Sequence, residues 1–127
     1  MVDSPNDLRR FKGRNQSFKK KVSIRKSGQL AINVGTVRAY QLDEYPGVLL
    51  YFGRESHTLG IEPTHDTEAN GFIKSYFHND TIQLNVRSFL DLNDIPYDKT
   101  RQAPVTGYDS EKKMVLADLE PVFEAAE

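Results

Sequence analysis

Residues 22–25 and 30–34 alternate between apolar and polar side chains, which is the pattern of half-buried β-strands. The segment 26–29 separates them, and Gly28 supplies the conformational freedom that a tight turn needs. The sequence therefore predicts a β-hairpin. A short helix is expected to follow, with Asn33 as its N-cap and its end near residue 42.

A second hairpin is predicted after this helix. The apolar run 48–52 is typical of a strand, residues 53–56 of a turn, and residues 58–62 of the returning strand. Residues 64–70 are polar and show no periodicity, which indicates a linker. Residues 21–63 thus predict one strand–strand–helix–strand–strand unit.

The same order of elements recurs after the linker. Residues 82–86 (Ile-Gln-Leu-Asn-Val) match residues 30–34 (Leu-Ala-Ile-Asn-Val) position by position, 52 residues later. The apolar face of the first helix is repeated at Val86, Phe89 and Leu92. This similarity predicts two tandem ββαββ units, with repeat one at 21–63, the linker at 64–70 and repeat two at 71–121.

Neither unit is long enough to bury its apolar faces by itself, so the two are expected to pack together. The predicted fold is mostly β with two short helices, a pseudo-two-fold β-barrel built from the two units. Residues 1–20 are polar and lack periodicity, which predicts a basic, flexible N-terminal arm. Residues 122–127 are expected to form a short acidic tail.

Charge is distributed unevenly along the chain. The 127 residues have a net charge of −1, but residues 1–26 hold nine of the 17 Lys and Arg and two of the 18 Asp and Glu. A basic segment before an acidic body favours an anionic partner, and it is also compatible with a solvated tail. The candidate phosphate contacts are Arg9, Arg10, Lys12, Arg14, Lys19, Lys20, Lys21, Arg25 and Lys26.

Several kinds of site find no support in the sequence. The chain has no cysteine, which excludes disulfides and thiolate metal sites. His57, His65 and His78 lack metal-ligand spacing, so we expect neither a metal nor another cofactor. No catalytic motif is present, and an enzyme is not predicted. The N-terminus resembles no signal peptide and no apolar run could span a membrane, so the expected location is cytoplasmic.

The hairpin at 22–32, the segment 48–52 and the segment 59–63 together resemble the AbrB/MraZ/SpoVT swapped-hairpin proteins. This resemblance implies two interlocked units forming one barrel, and a function as a transcription regulator. It also implies DNA contacts from basic residues of the first hairpins, which carry over to Arg25 and Lys26 and, in the second unit, to Lys74. The chain departs from the family at Gln29 and Asn33, where a Gly-Arg pair and a helix-starting Pro are usual.

Two functions follow from these features. The first is a small nucleic-acid-binding regulator, with DNA as its partner and the basic arm as the main contact. The alternative is a protein-interaction adaptor or accessory subunit that binds no nucleic acid. In that case an acidic surface would bind a basic protein, through Asp91, Asp94, Asp98, Asp109 and Glu111.

Overall fold

The fold was analysed in a computed structural model that describes residues 19–126. The described residues form nine strands: β1 (Lys21–Ile24), β2 (Gln29–Ile32), β3 (Gly47–Gly53), β4 (Thr58–Thr64), β5 (Ile73–Lys74), β6 (Tyr76–His78), β7 (Thr81–Asn85), β8 (Arg101–Asp109) and β9 (Met114–Asp118). The helices are α1 (Val34–Tyr40), a 3-10 turn (Leu42–Glu44), α2 (Arg87–Leu92) and α3 (Glu120–Ala126). No helix of this part of the chain has the length and apolar character that crossing a membrane requires.

The strands form one antiparallel sheet in the order β5-β3-β4-β9-β8-β1-β2-β7-β6. Its two outermost strands, β5 and β6, are consecutive in the chain and separated by Ser75 alone. β5 pairs with β3, and the backbone N–H of Ser75 donates to the Pro46 carbonyl at 3.0 Å. The chain then leaves β3, and β6 pairs with β7. The result is a nearly closed, barrel-like sheet, as the mostly β prediction requires.

Inward side chains of the strands form a single apolar core. In β1 and β7, buried residues alternate with partly exposed ones, so each strand has one face toward the core. Helices α1, α2 and α3 contribute buried apolar side chains to this core, among them Val37, Leu90 and Val122. The fully buried residues with the largest side chains are Ile24, Leu30, Ile32, Leu42, Leu59, Ile61, Ile82, Leu84, Leu90 and Leu119.

Helix α1 begins where the sequence predicts. The Asn33 side chain accepts hydrogen bonds from the Thr36 backbone N–H at 3.0 Å and from the Thr36 hydroxyl at 2.7 Å. It also accepts from the backbone N–H of Lys21 at 3.2 Å, which ties the helix to β1. The Asn33 N-cap is therefore confirmed. The helix ends at Tyr40 rather than near residue 42, because Gln41 adopts a left-handed conformation with φ of 54°.

Helix α2 buries a different residue from the one predicted. Val86 and Leu90 are buried, whereas Leu92 is 73% exposed. Residues four apart share one face of a helix, so Val86 and Leu90 turn together toward the core. The helix ends after Leu92, and Asp94 takes a left-handed conformation. The prediction that Leu92 lies on the inner face was wrong.

The C-terminal segment forms a third helix where an acidic tail was expected. Val122 and Leu119 are fully buried, so the folded domain extends beyond residue 121. Pro121 stands in the first turn of α3, where proline is tolerated because its missing N–H would have no partner within the helix. The Asp118 carboxylate accepts from the Glu120 backbone N–H at 3.0 Å at this helix start. The predicted count of two short helices was therefore too low.

Candidate nucleic-acid interface

The predicted phosphate contacts separate into two groups. Arg9, Arg10, Lys12 and Arg14 lie outside the described residues. Lys19 and Lys20 are exposed immediately before β1, and Lys21 begins that strand. Arg25 and Lys26 follow its other end, and Lys74 lies in β5.

The strand order places the outward side chains of β1, β2, β6, β7 and the first half of β8 on one surface, which we call the polar face. Cross-strand pairing aligns Gln102 with Ser23, Ser23 with Ala31, Ala31 with Gln83, and Gln83 with Tyr76. This row crosses five strands. The polar face consists of Lys21, Ser23, Gln29, Tyr76, His78, Thr81, Gln83, Asn85, Gln102 and Pro104, around Ala31, whose small side chain is 8% exposed.

The strand segments beneath the polar face contain no Asp or Glu. This holds for β1, β2, β6, β7 and residues 101–104 of β8. The strands on the other side of the barrel differ, since β4 carries Glu62 and β9 carries Asp118. Within residues 19–126, carboxylates near this face lie in the adjoining turns, where Asp80 between β6 and β7 is 3.5 Å from Arg38 and Asp98 before β8 is 2.8 Å from Arg101. The strand surface itself offers amides, hydroxyls and cations to an approaching polyanion.

Cations stand at the margins of the polar face with their backbones held in place. Lys21 donates from Nζ to the Gln102 side chain at 3.4 Å. The backbone N–H of Arg25 donates to the Gln29 carbonyl at 2.8 Å, and that of Lys26 to the Thr100 hydroxyl at 3.2 Å. Within residues 19–126, no carboxylate lies in ion-pair reach of Lys21, Arg25, Lys26 or Lys74. These side chains are thus available to phosphate groups.

An exposed aromatic ring borders the face on β6. Tyr76 is 49% exposed, and the Lys74 ammonium lies 5.3 Å from the centre of its ring. Phe77 is also exposed on the same strand. An aromatic ring next to a cation is the pairing that stacks on nucleobases while neutralising phosphate. The strand order places Tyr76 beside Gln83.

Carboxylates assigned to the alternative adaptor surface have local partners. Asp91 accepts from the Tyr97 hydroxyl at 2.7 Å, and Asp98 from Arg101 at 2.8 Å. The Tyr97 bond raises the pKa of that phenol, since ionising it would place a second negative charge beside Asp91. Asp94 lies 3.9 Å from Arg54, and Asp109 accepts backbone N–H bonds within the β8–β9 turn.

Arg101 is a basic residue whose role the sequence did not reveal. It stands opposite Ile24 on the inward side of β8, and its side chain is 11% exposed. Its guanidinium holds the pKa of Asp98 below the usual carboxyl range, mainly through their hydrogen bond. The separation of three residues between Asp98 and Arg101 was the available signal. Arg101 therefore forms an ion pair with Asp98 at the start of β8.

The three histidines lie in separate surroundings. His57 contacts the Glu120 carboxylate, His65 stacks on Tyr45 with ring centres 4.6 Å apart, and His78 is exposed on β6. Among the residues with described positions, no three His, Asp or Glu side chains are grouped to hold a metal ion.

No protein-family model, curated protein sequence or solved structure matches this chain. We therefore infer a function from the geometry and charge of the polar face.

Proposed function

We propose that the protein is a small regulatory protein that binds nucleic acid, DNA in the first instance, through the polar face and the basic residues that precede it. The observation that carries this proposal is the lack of carboxylates in five adjacent strand segments of an otherwise acidic body. A sheet surface of amides and hydroxyls bordered by cations suits a sugar–phosphate backbone, where such groups supply most of the contacts.

The spacing of the cations suits several simultaneous phosphate contacts. Lys21 and Arg25 project from the two ends of β1, about 13 Å apart at the usual rise of a strand. Tyr76 lies three strand spacings away from β1, or about 14 Å, and the Lys74 ammonium is 5.3 Å from the centre of its ring. Each phosphate that a cation neutralises releases counterions, so affinity should fall steeply as salt rises.

The same proposal includes an origin from two copies of one unit that interlock as in the swapped-hairpin regulators. The strand pairs support it, since β1·β2 corresponds to β6·β7 and β3·β4 to β8·β9. The remaining pairs follow the same correspondence. The pair β1·β8 corresponds to β5·β3, and the pairs β2·β7 and β4·β9 each join two strands that hold the same position in the two units. On this basis the polar face is the surface of the two first hairpins, the surface from which the resemblance derives DNA contacts.

The test is a fluorescence-anisotropy titration of the full chain against labelled duplex DNA, single-stranded DNA and RNA at several salt concentrations. The decisive variant is Lys21→Gln/Lys74→Gln, which removes two cations from the face. The matched control, Lys112→Gln/Lys113→Gln, removes two exposed cations from the β8–β9 turn. Both double variants change the net charge equally.

We expect the face variant to weaken duplex binding and to reduce the slope of log affinity against log salt by about 2, since each lost phosphate contact removes about 0.9. The control should keep the slope of the unmodified protein. Equal losses in the two variants would assign binding to net charge rather than to this face. No binding of any of the three nucleic acids at low salt would refute the proposal.

A further inference from the structure

A second feature, which borders the polar face at Asn85, is a cavity of about 660 Å³ between the β1–β2 turn, helix α2 and the residues leading into β5. Its volume falls within the range of small-molecule sites, about 300 to 1,000 Å³. Six apolar side chains supply most of its wall. They are Leu50, Phe72, Ile73, Val86, Phe89 and Leu92.

The floor of the cavity belongs to the folded core. Leu50, Ile73 and Phe89 pack against the buried cluster, and Val86 is part of it. The Phe72 ring packs directly against Gly47 of β3, where an added side chain would collide with it. The cavity is therefore built by the fold.

Arg87 supplies a cation at the rim. Its guanidinium donates to the Ser27 carbonyl at 3.2 Å, and it crosses Gly28, where an added Cβ would come within 3.1 Å of Nε. Within the described part of the chain, no carboxylate lies in ion-pair reach of this guanidinium. The acid one helical turn away, Asp91, is engaged by the Tyr97 hydroxyl. The apolar cavity is thus bordered by one positively charged side chain, Arg87, whose hydrogen-bond partner in the protein is the uncharged Ser27 carbonyl.

We propose that this cavity binds a small amphipathic carboxylate, with its apolar body against the six apolar side chains and its anionic end on Arg87. The six apolar side chains favour an apolar body, since sugar hydroxyls placed against them would lack hydrogen-bond partners, while the polar lining residues Ser27, Asn85 and Ser88 lie beside Arg87. The guanidinium selects for carboxylate over alcohol or amine, since a charge-assisted hydrogen bond is stronger than a neutral one. The inference does not depend on nucleic-acid binding.

The test is isothermal titration calorimetry of the full chain with octanoate, 1-octanol and octylamine, which share one apolar body. We expect octanoate to bind most tightly, about tenfold more so than 1-octanol, as one exposed charge-assisted bond allows. Across hexanoate, heptanoate and octanoate, each added methylene should tighten binding about threefold as it enters the apolar wall.

Two variants separate the two parts of the site. Arg87→Gln should bring octanoate down to the affinity of 1-octanol, while Arg87→Lys keeps a preference for the acid. Leu92→Gln should weaken the binding of octanoate and of 1-octanol to the same extent. Because Leu92 is largely exposed, this substitution should leave the fold intact. Lys112→Gln is the control and should leave all three affinities unchanged.

Three outcomes would overturn the proposal. They are equal binding of octanoate and octylamine, an unchanged octanoate affinity in Arg87→Gln, and the lack of octanoate binding at millimolar concentration. Because no nucleic acid enters the assay, each outcome leaves the function of the polar face to its own test.

Discussion

The rings of His57 and Phe123 are stacked, with an angle of 5° between their planes and their centres 3.9 Å apart. The Nδ1 atom of the same imidazole lies 3.2 Å from both carboxylate oxygens of Glu120. The backbone carbonyl of His57 accepts a hydrogen bond from the Leu119 N–H at 2.8 Å. The turn between β3 and β4 is thereby attached to helix α3. One residue in a left-handed conformation, with φ of 56°, thus anchors the C-terminal helix.

His57→Asn should lower the free energy of unfolding by about 1 kcal/mol, the usual value of a stacked aromatic pair. Asparagine tolerates the left-handed backbone, so the change isolates the loss of the ring and of the contact with Glu120. Urea denaturation measures the effect. His78→Asn removes an exposed imidazole from β6 and should leave the midpoint unchanged. Equal midpoints for His57→Asn and the unmodified protein would contradict a stabilising role for the stack.

Asn33→Ala should destabilise the protein by about 2 kcal/mol, at the upper end for the loss of an N-cap. The side chain serves both the first turn of α1 and the backbone of β1, so its removal leaves several donors without a partner. Asn85 occupies the matching position in the similar sequence segment 82–86, and its side chain accepts a hydrogen bond from the Gln29 side chain on the surface. Asn85→Ala should therefore cost much less in the same thermal or urea unfolding experiment, and equal costs would refute this account.

Removing either of two buried hydroxyls, those of Ser75 and Thr36, is expected to change the free energy of unfolding in opposite directions. The hydroxyl of Ser75 has no protein hydrogen-bond partner within residues 19–126, whereas that of Thr36 bonds to Asn33 and to the Lys21 carbonyl. Ser75→Ala should raise the free energy of unfolding by about 1 kcal/mol, because it removes an unsatisfied polar group. Thr36→Val should lower it by about 1 kcal/mol, since it breaks bonds that are made. Loss of stability in Ser75→Ala would show that the hydroxyl is satisfied in solution.

The pair of Asp98 and Arg101 predicts a specific acid response. The pKa of Asp98 is lowered in the folded protein, so the pair's contribution is present above the unfolded carboxyl pKa of about 3.9. It is lost as the pH falls through the lower, folded-state pKa. Arg101→Gln should raise the pKa of Asp98 in a carboxyl-carbon NMR titration. Lys99→Gln removes a weaker influence on the same group and should raise it less, and the reverse order would contradict the assignment.

Local patterns predicted the hairpins well because alternation, turn residues and caps act between near neighbours in sequence. Gly28 takes a positive φ of 88° in the first turn, and Asn33 caps α1. Helix α3 was missed for the opposite reason. It is short, contains a proline, and is held by contacts with His57, a residue about 60 positions earlier.

The polar face could be predicted only in part. The cations Lys21 and Arg25 were identified by local charge, whereas Tyr76 was not assigned to this surface. The strand segments without carboxylates are far apart in the sequence. They form one surface because β8 pairs with β1 and β7 pairs with β2. Such long-range pairings leave no local mark in a single sequence. The same is true of the cavity beside Arg87, whose walls come from β3, α2 and the segment before β5.

The junction at Ser75 also affects how the protein can associate with other chains. An exposed strand edge is a template on which a foreign strand can add, and such addition leads to aggregation. Here the two terminal strands of the described sheet have only two and three residues and follow each other in the chain. The terminal strands β5 and β6 therefore offer few backbone groups to a second polypeptide, and the longer stretch without a strand partner in the described sheet is residues 49–53 of β3, beyond its pairing with β5. Any complex at β5 or β6, with nucleic acid, protein or another copy of this chain, is expected to depend on side-chain surfaces rather than on a continued ladder of hydrogen bonds.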